Sequence, residues 1–259
     1  MTAPQAEPQL HPSPVLLAAG AVIAQVFYPL VFGTARDLLT VTAVVLFCAA
    51  SVTHAALTRG ARCAVALLGV FAGGGLLVEI LGLTTGFPFG EYSYAGGLGP
   101  TVAGTPVVIG LAWAMMAWPS WIAAGRLTRR RGPRIVVAAW ALATWDLFLD
   151  PQMVGEGYWR WSDPEPGLPG VYGVPLTNYL GWLLVALVLM TLFAAVDDVH
   201  RAIPDRLDTV PIALLGWVYV SSIVAHTLFF GLPYAALWGA AGMGLVVLPV
   251  LGRSGPAGR

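Results

Sequence analysis

Four polar side chains sit inside otherwise apolar runs, and their types suit acid chemistry. Glu79 lies in Leu76-Leu77-Val78-Glu79-Ile80-Leu81, Asp146 and Asp150 in Trp145-Asp146-Leu147-Phe148-Leu149-Asp150-Pro151, and Asn178 in Pro175-Leu176-Thr177-Asn178-Tyr179. Asp146 and Asp150 are spaced i, i+4 and share a helix face; Pro151 predicts a helix end at Asp150, which places Asp150 at a rim and Asp146 one turn deeper. Asn178 and Trp182 are likewise one turn apart. An ionisable group in hydrocarbon costs on the order of 2.5 to 3.5 kcal/mol at mid-bilayer and usually serves a function or a partner.

A carboxyl in apolar surroundings holds its proton and is suited to delivering it to an unactivated double bond. Protonation at the less substituted carbon leaves a tertiary cation, which aromatic faces stabilise. A water held by a second carboxylate or an asparagine then captures it. Hydration of this kind needs no cofactor, and the sequence offers no cofactor site. The candidate catalytic residues are therefore Glu79, Asp146, Asp150 and Asn178. Each has a bland alternative: a structural hydrogen bond for Glu79, a turn before Pro151 for Asp150, helix packing for Asn178.

Two loops rich in aromatics, glycine and proline lie beside these residues. The first runs from Thr84 to Gly104 and carries Glu91, Tyr92 and Tyr94; the second runs from Asp150 to Gly173 and carries Glu156, Tyr158, Trp159, Trp161 and Asp163. Together they read as a lid, although aromatics of this kind also form interfacial belts. Glu91, Tyr92, Tyr94, Trp145 and Trp182 are the candidate substrate-binding residues.

The elements that must position them are membrane helices. Of 259 residues, 58% are hydrophobic and 10% charged, with a mean hydropathy of +0.77, against about 25% charged in soluble domains. The expected fold is all-α, a polytopic membrane bundle in one domain at residues 14–251, between a disordered tail at 1–13 and a short tail at 252–259. Runs of about 20 residues, enough to cross the hydrocarbon, fall at 14–32, 38–57, 62–83, 105–124, 134–150, 174–196, 210–230 and 234–251. Eight spans is the best count; seven plus a re-entrant hairpin stays open, because only Gly231-Leu232-Pro233 separates the last two.

With eight spans, one side holds Arg59, Arg62, Arg126, Arg129, Arg130, Arg131, Arg134, Arg201, Arg206, Arg253 and Arg259, and the other only Arg36 and Arg160. By the positive-inside rule both termini are cytoplasmic and both aromatic loops lie outside. The glycine patch Gly69, Gly73, Gly74, Gly75 reads as close helix packing. Zero net charge excludes a nucleic-acid partner. The four dispersed histidines show no metal-ligand spacing, and Cys48 and Cys63 read as packing residues.

Glu79-Ile80-Leu81-Gly82, Thr85-Gly86-Phe87-Pro88-Phe89-Gly90-Glu91-Tyr92-Ser93-Tyr94, Gly99-Pro100, Thr105-Pro106, Trp145-Asp146-Leu147 with Asp150-Pro151, and Gly173-Val174-Pro175 with Asn178 and Gly181-Trp182 together resemble a known family. It is the membrane carotenoid biosynthesis family, of the bisanhydrobacterioruberin hydratase and carotenoid 1',2'-hydratase type, and the resemblance covers roughly residues 60–230. It implies a carotenoid substrate in the lipid bilayer, other carotenoid biosynthesis enzymes as partners, and addition of water across a terminal isoprenoid double bond of a C50 or C40 chain. On that reading Glu79 or Asp146 donates the proton, the other carboxylate and Asn178 position water, and Tyr92, Tyr94, Trp145 and Trp182 line the cation. A carotenoid cyclase and a non-catalytic carotenoid binder or transporter remain alternatives. A diphosphate-magnesium site at Asp146-x-x-x-Asp150 needs a second acidic cluster, and Asp197-Asp198 with Asp205 falls on the wrong side.

Overall fold

The computed structural model describes residues 11–197 and 205–253; Asp198, His200, Arg201, Arg259 and most of both expected tails lie outside them. Eight helical spans run Pro12–Leu30, Thr34–Arg59, Ala61–Thr85, Val107–Leu127, Arg131–Gly155, Leu176–Ala194, Arg206–Leu228 and Pro233–Arg253, each long and apolar enough to cross a membrane. This is an all-α, multi-pass membrane protein. The last two are separate full-length helices, so the described residues hold eight candidate spans.

The helices are α1 (Pro12–Phe27), α2 (Thr34–Arg59), α3 (Ala61–Leu67), α4 (Gly74–Thr85), α5 (Val107–Leu127), α6 (Arg131–Gly155), α7 (Leu176–Ala194), α8 (Thr209–Leu228) and α9 (Pro233–Arg253). The third span is α3 and α4 joined by a π-helical turn at Leu68–Gly73, wider than an α-helical one. Helix α5 is the centre of the bundle, buried along nearly its whole length, with Trp113, Trp118 and Trp121 fully enclosed. Helices α2, α4, α6, α8 and α9 pack around it.

Glycine admits the large rings. A Cβ on Gly75 would stand 2.7 Å from Trp113 Cγ, and one on Gly74 3.0 Å from Leu189 Cδ2, so these two carry the close approach expected of the glycine patch. A Cβ on Gly69 would meet nothing within 4 Å, so that position plays no part in it.

At one end of the bundle the two aromatic loops pair. Strand β1 (Tyr92–Tyr94) runs antiparallel to the Trp159–Trp161 strand, with Tyr92 opposite Trp161 and Tyr94 opposite Trp159. A small hairpin, β2 (Thr101–Val102) and β3 (Thr105–Pro106), leads into α5; the Trp159–Trp161 strand is β4. At the other end, Arg59 grips Asp208 through both nitrogens at 2.6 and 2.8 Å. There too Arg253 donates to the Arg126 carbonyl at 2.8 Å. The arginine-rich connections thus share one face and the aromatic loops the other.

Candidate functional site

The sequence brings one carboxylate up to the aromatic roof by stopping a helix there. Gly86, at φ +75°, ends α4 in the left-handed conformation, and the chain turns back over the helix. Phe89 then packs between Gly82 and Gly181: a Cβ at either position would come within 2.8 Å of its ring. Strand alternation does the rest, since side chains two apart share a face. Tyr92 and Tyr94 point down and Ser93 outward.

Both phenols converge on Glu79. Tyr92 Oη donates to Glu79 Oε2 at 2.7 Å and Tyr94 Oη to the same oxygen at 2.9 Å, while Trp113 Nε1 reaches Oε1 at 3.1 Å. Burial, with the neighbouring Glu79 carboxylate adding to it, pushes both phenols well above the ordinary tyrosine range, so they remain neutral donors. Glu79 is 5% exposed and fully satisfied by the protein.

The second acidic group is built on α6 and α7. Asn178 Nδ2 donates to Asp146 Oδ2 at 2.8 Å and also to Asp150 Oδ2. Trp159 Nε1 from the roof donates to Asp150 Oδ1 at 3.1 Å. The two aspartates thus share one amide donor. Asp146 Oδ1 is buried with no partner. One amide thus serves a carboxyl pair with fewer donors than Glu79 has.

Pro151 does not end α6, which continues to Gly155. Asp150 is accordingly 3% exposed, inside the helix and not at a rim. Membrane helices tolerate an internal proline where neighbouring groups satisfy the freed carbonyl.

Glu79, Asp150 and Asn178 face one cavity of about 440 Å³, a size suited to a small molecule or to part of a larger one. Around its acidic end stand Tyr92, Tyr94, Trp145, Trp159, Trp161 and Trp182; the rest of the wall is largely apolar. Trp182 stacks on Trp113 with centroids 4.0 Å apart, and Trp145 meets it edge-on at 6.1 Å. Tyr92 lies 5.6 Å from Trp161 and Tyr94 5.8 Å from Trp159. Asp146 is fully buried behind Asp150 and Asn178 and does not line the cavity.

Of the residues expected at the site, Glu79, Asp150, Asn178, Tyr92, Tyr94, Trp145 and Trp182 meet at this cavity, and Asp146 backs it. Glu91 does not join them: it is exposed on the outer side of the loop, preceding a strand whose next residue points inward. From the expected lid, Trp159 and Trp161 are roof; Glu156 pairs with Arg36, and Tyr158 donates to Asp37 Oδ1 at 2.8 Å. These last two anchor the roof to α2. Trp113 was missed, because a tryptophan in an apolar run gives no sign of a carboxylate beside it; the only hint was Gly75, which makes room for its ring.

Asp197, the described member of the proposed second acidic cluster, lies at the arginine-rich end, accepting from Trp121 Nε1 at 2.6 Å and facing Arg134 at 3.8 Å. Asp198 and the Asp205 side chain fall outside the described residues.

Residues 38–251 match the model of a family described as "Carotenoid biosynthesis protein". The chain belongs to that family. It is 32% identical over 174 residues to a bisanhydrobacterioruberin hydratase of Haloarcula japonica, a match covering 63% of this chain and 57% of that protein. The matched part is thus a little over half the length of the relative. No solved structure matches the chain. Family membership and the eight apolar helices make it a multi-pass membrane protein of the carotenoid biosynthesis family.

Proposed function

We propose that the protein adds water across the terminal isoprenoid double bond of an acyclic carotenoid end, giving a tertiary alcohol. The observation that carries this reading is the acidic, aromatic-walled end of an otherwise apolar cavity. The likeness to bisanhydrobacterioruberin hydratase supports it.

In this mechanism Asp150, facing the cavity with Asp146 behind it, is the proton donor. The π pair of the terminal alkene takes the Asp150 proton at the less substituted carbon, forming a C–H bond and leaving a tertiary cation. Trp145, Trp182, Tyr92 and Tyr94 stabilise that cation through their ring faces. A water beside Glu79 and Asn178 attacks it; its oxygen forms the C–O bond and its surplus proton passes to Glu79. Return of one proton to the aspartate pair resets the site, so the sum is alkene plus water giving alcohol. No cofactor takes part. The sequence pointed to Glu79 or Asp146 as donor; Asp150 takes that role in this proposal because, unlike Asp146, it meets the cavity, and it has fewer hydrogen-bond donors than Glu79.

At 440 Å³ the cavity suits one end of a C40 or C50 chain. A cyclase would start from the same protonation but must keep water from the cation, and three polar side chains at the reacting end disfavour that. The test is mass spectrometry of pigments from a host supplying acyclic-ended C40 or C50 carotenoids, with and without this chain. A gain of one water per end supports hydration. Unchanged mass with an altered absorption spectrum supports cyclisation, and unchanged pigment with intact membrane expression supports a binding protein.

A further inference from the structure

We infer that the substrate's polyene tail enters and leaves the cavity sideways, through an opening between α1 and α8 into the lipid. The identity of the tail rests on the hydratase reading above; the opening rests on geometry alone.

Four residues that line the cavity also stand on the outer surface of the bundle: Val26 on α1 is 47% exposed, Val220 and Val224 on α8 are 53% and 44%, and Phe229 just beyond α8 is 52%. A side chain that borders a cavity and is half exposed on the outside marks a break in the wall. The roof and the aromatic wall opposite are closed. Tyr92, Trp159 and Trp161 in the roof are 5 to 8% exposed, and Trp145 and Trp182 opposite are 6 and 5%.

Packing explains the break. Helix α1 leans on α2, where a Cβ on Gly20 would stand 3.1 Å from Leu46 Cδ1, and it touches α8 only sparingly. Along the cavity α8 presents the small side chains Ser221, Ser222 and Ala225. One direct polar contact ties the two helices: Trp217 Nε1 donates to Gln25 Oε1 at 2.7 Å. Both groups line the cavity, and their bond pairs the indole N–H with the amide oxygen at the opening.

A long polyene resides in the bilayer and is longer than the cavity. Passage between α1 and α8 lets the reacting end reach Glu79 and Asp150 while the rest of the chain stays in lipid. The Gln25–Trp217 bond then acts as a clasp over the tail.

Photoreactive benzoylphenylalanine placed at Val224, and as a control at Leu77, which is 68% exposed on α4 and away from the cavity, reads the path directly. After irradiation in membranes containing an acyclic-ended C40 carotenoid, pigment adducts are expected at Val224 and only background at Leu77. Equal yields at both positions, or none at Val224, overturn the opening. A second experiment closes it: a Gln25→Cys/Trp217→Cys pair bridged by a short bis-methanethiosulfonate reagent, with Cys48 and Cys63 buried. Bridging is expected to abolish product formation and reduction to restore it. Undiminished product formation in the bridged protein overturns the opening and leaves hydration standing, whereas a wild-type chain that never adds water refutes hydration while the adduct pattern still decides the path.

Discussion

Replacing Asn178 with leucine keeps the side chain's bulk and removes the one amide shared by Asp146 and Asp150. Two buried acceptors then lose a donor, at about 1 to 3 kcal/mol each. Asp150 keeps Trp159 Nε1 and faces the cavity, where water replaces the lost bond, so its share falls at the low end. Asp146 has no other protein donor, Oδ1 being unpartnered already, so its share falls at the high end. The sum is roughly 3 to 4 kcal/mol of stability. Removing both partners, in Asn178→Leu/Asp146→Leu, leaves no orphaned carboxyl at Asp146, and about 1 to 2 kcal/mol should return. Denaturant unfolding in detergent micelles, followed by tryptophan fluorescence, measures both quantities. A single variant within about 0.5 kcal/mol of wild type, or two strictly additive substitutions, would refute the claim that this amide holds the pair. If about 2 kcal/mol of the interaction also acts at the transition state, Asn178→Leu slows hydration ~30-fold.

The other predictions concern the roof. Tyr94→Phe deletes one of the three donors to Glu79; a hydrogen bond to a charged group contributes about 1.5 to 3 kcal/mol, so hydration should slow roughly 10- to 150-fold with normal membrane insertion, measured as alcohol formed per unit protein. Gly82→Ala sets a Cβ 2.7 Å from Phe89 Cδ2 and 3.1 Å from Tyr92 Oη and should displace both and abolish product, whereas Gly69→Ala, with open space around it, should behave as wild type. Glu91→Gln changes an exposed side chain outside the cavity and should leave turnover within about twofold, the scale of surface changes.

Much of the frame was legible because membrane chemistry writes it plainly. Polar groups inside apolar runs stand out, and Glu79, Asp146, Asp150 and Asn178 were each conspicuous for that reason. The arginine bias set the faces, and the pairing of β1 with β4 agrees with it. Less was legible where the signal depends on a partner far along the chain. Tyr92-Ser93-Tyr94 and Trp159-Arg160-Trp161 alternate like strands, but three residues are too few to declare one until the other is beside it. Pro151 looked like a helix end because that is its usual effect in water; inside the bundle α6 runs on through it, and Asp150 becomes a buried residue of the cavity wall. Glu91 looked like a site residue because it shares a loop with Tyr92, and strand alternation turns it outward.

Isotope tracing tests the central claim most directly. Hydration of an acyclic carotenoid end in deuterated, oxygen-18-labelled water should place the label in the new hydroxyl and one non-exchangeable deuterium on the adjacent carbon, with neither appearing in Asp150→Asn. A hydroxyl carrying ordinary oxygen, or formed without the carbon-bound deuterium, would contradict protonation followed by water capture.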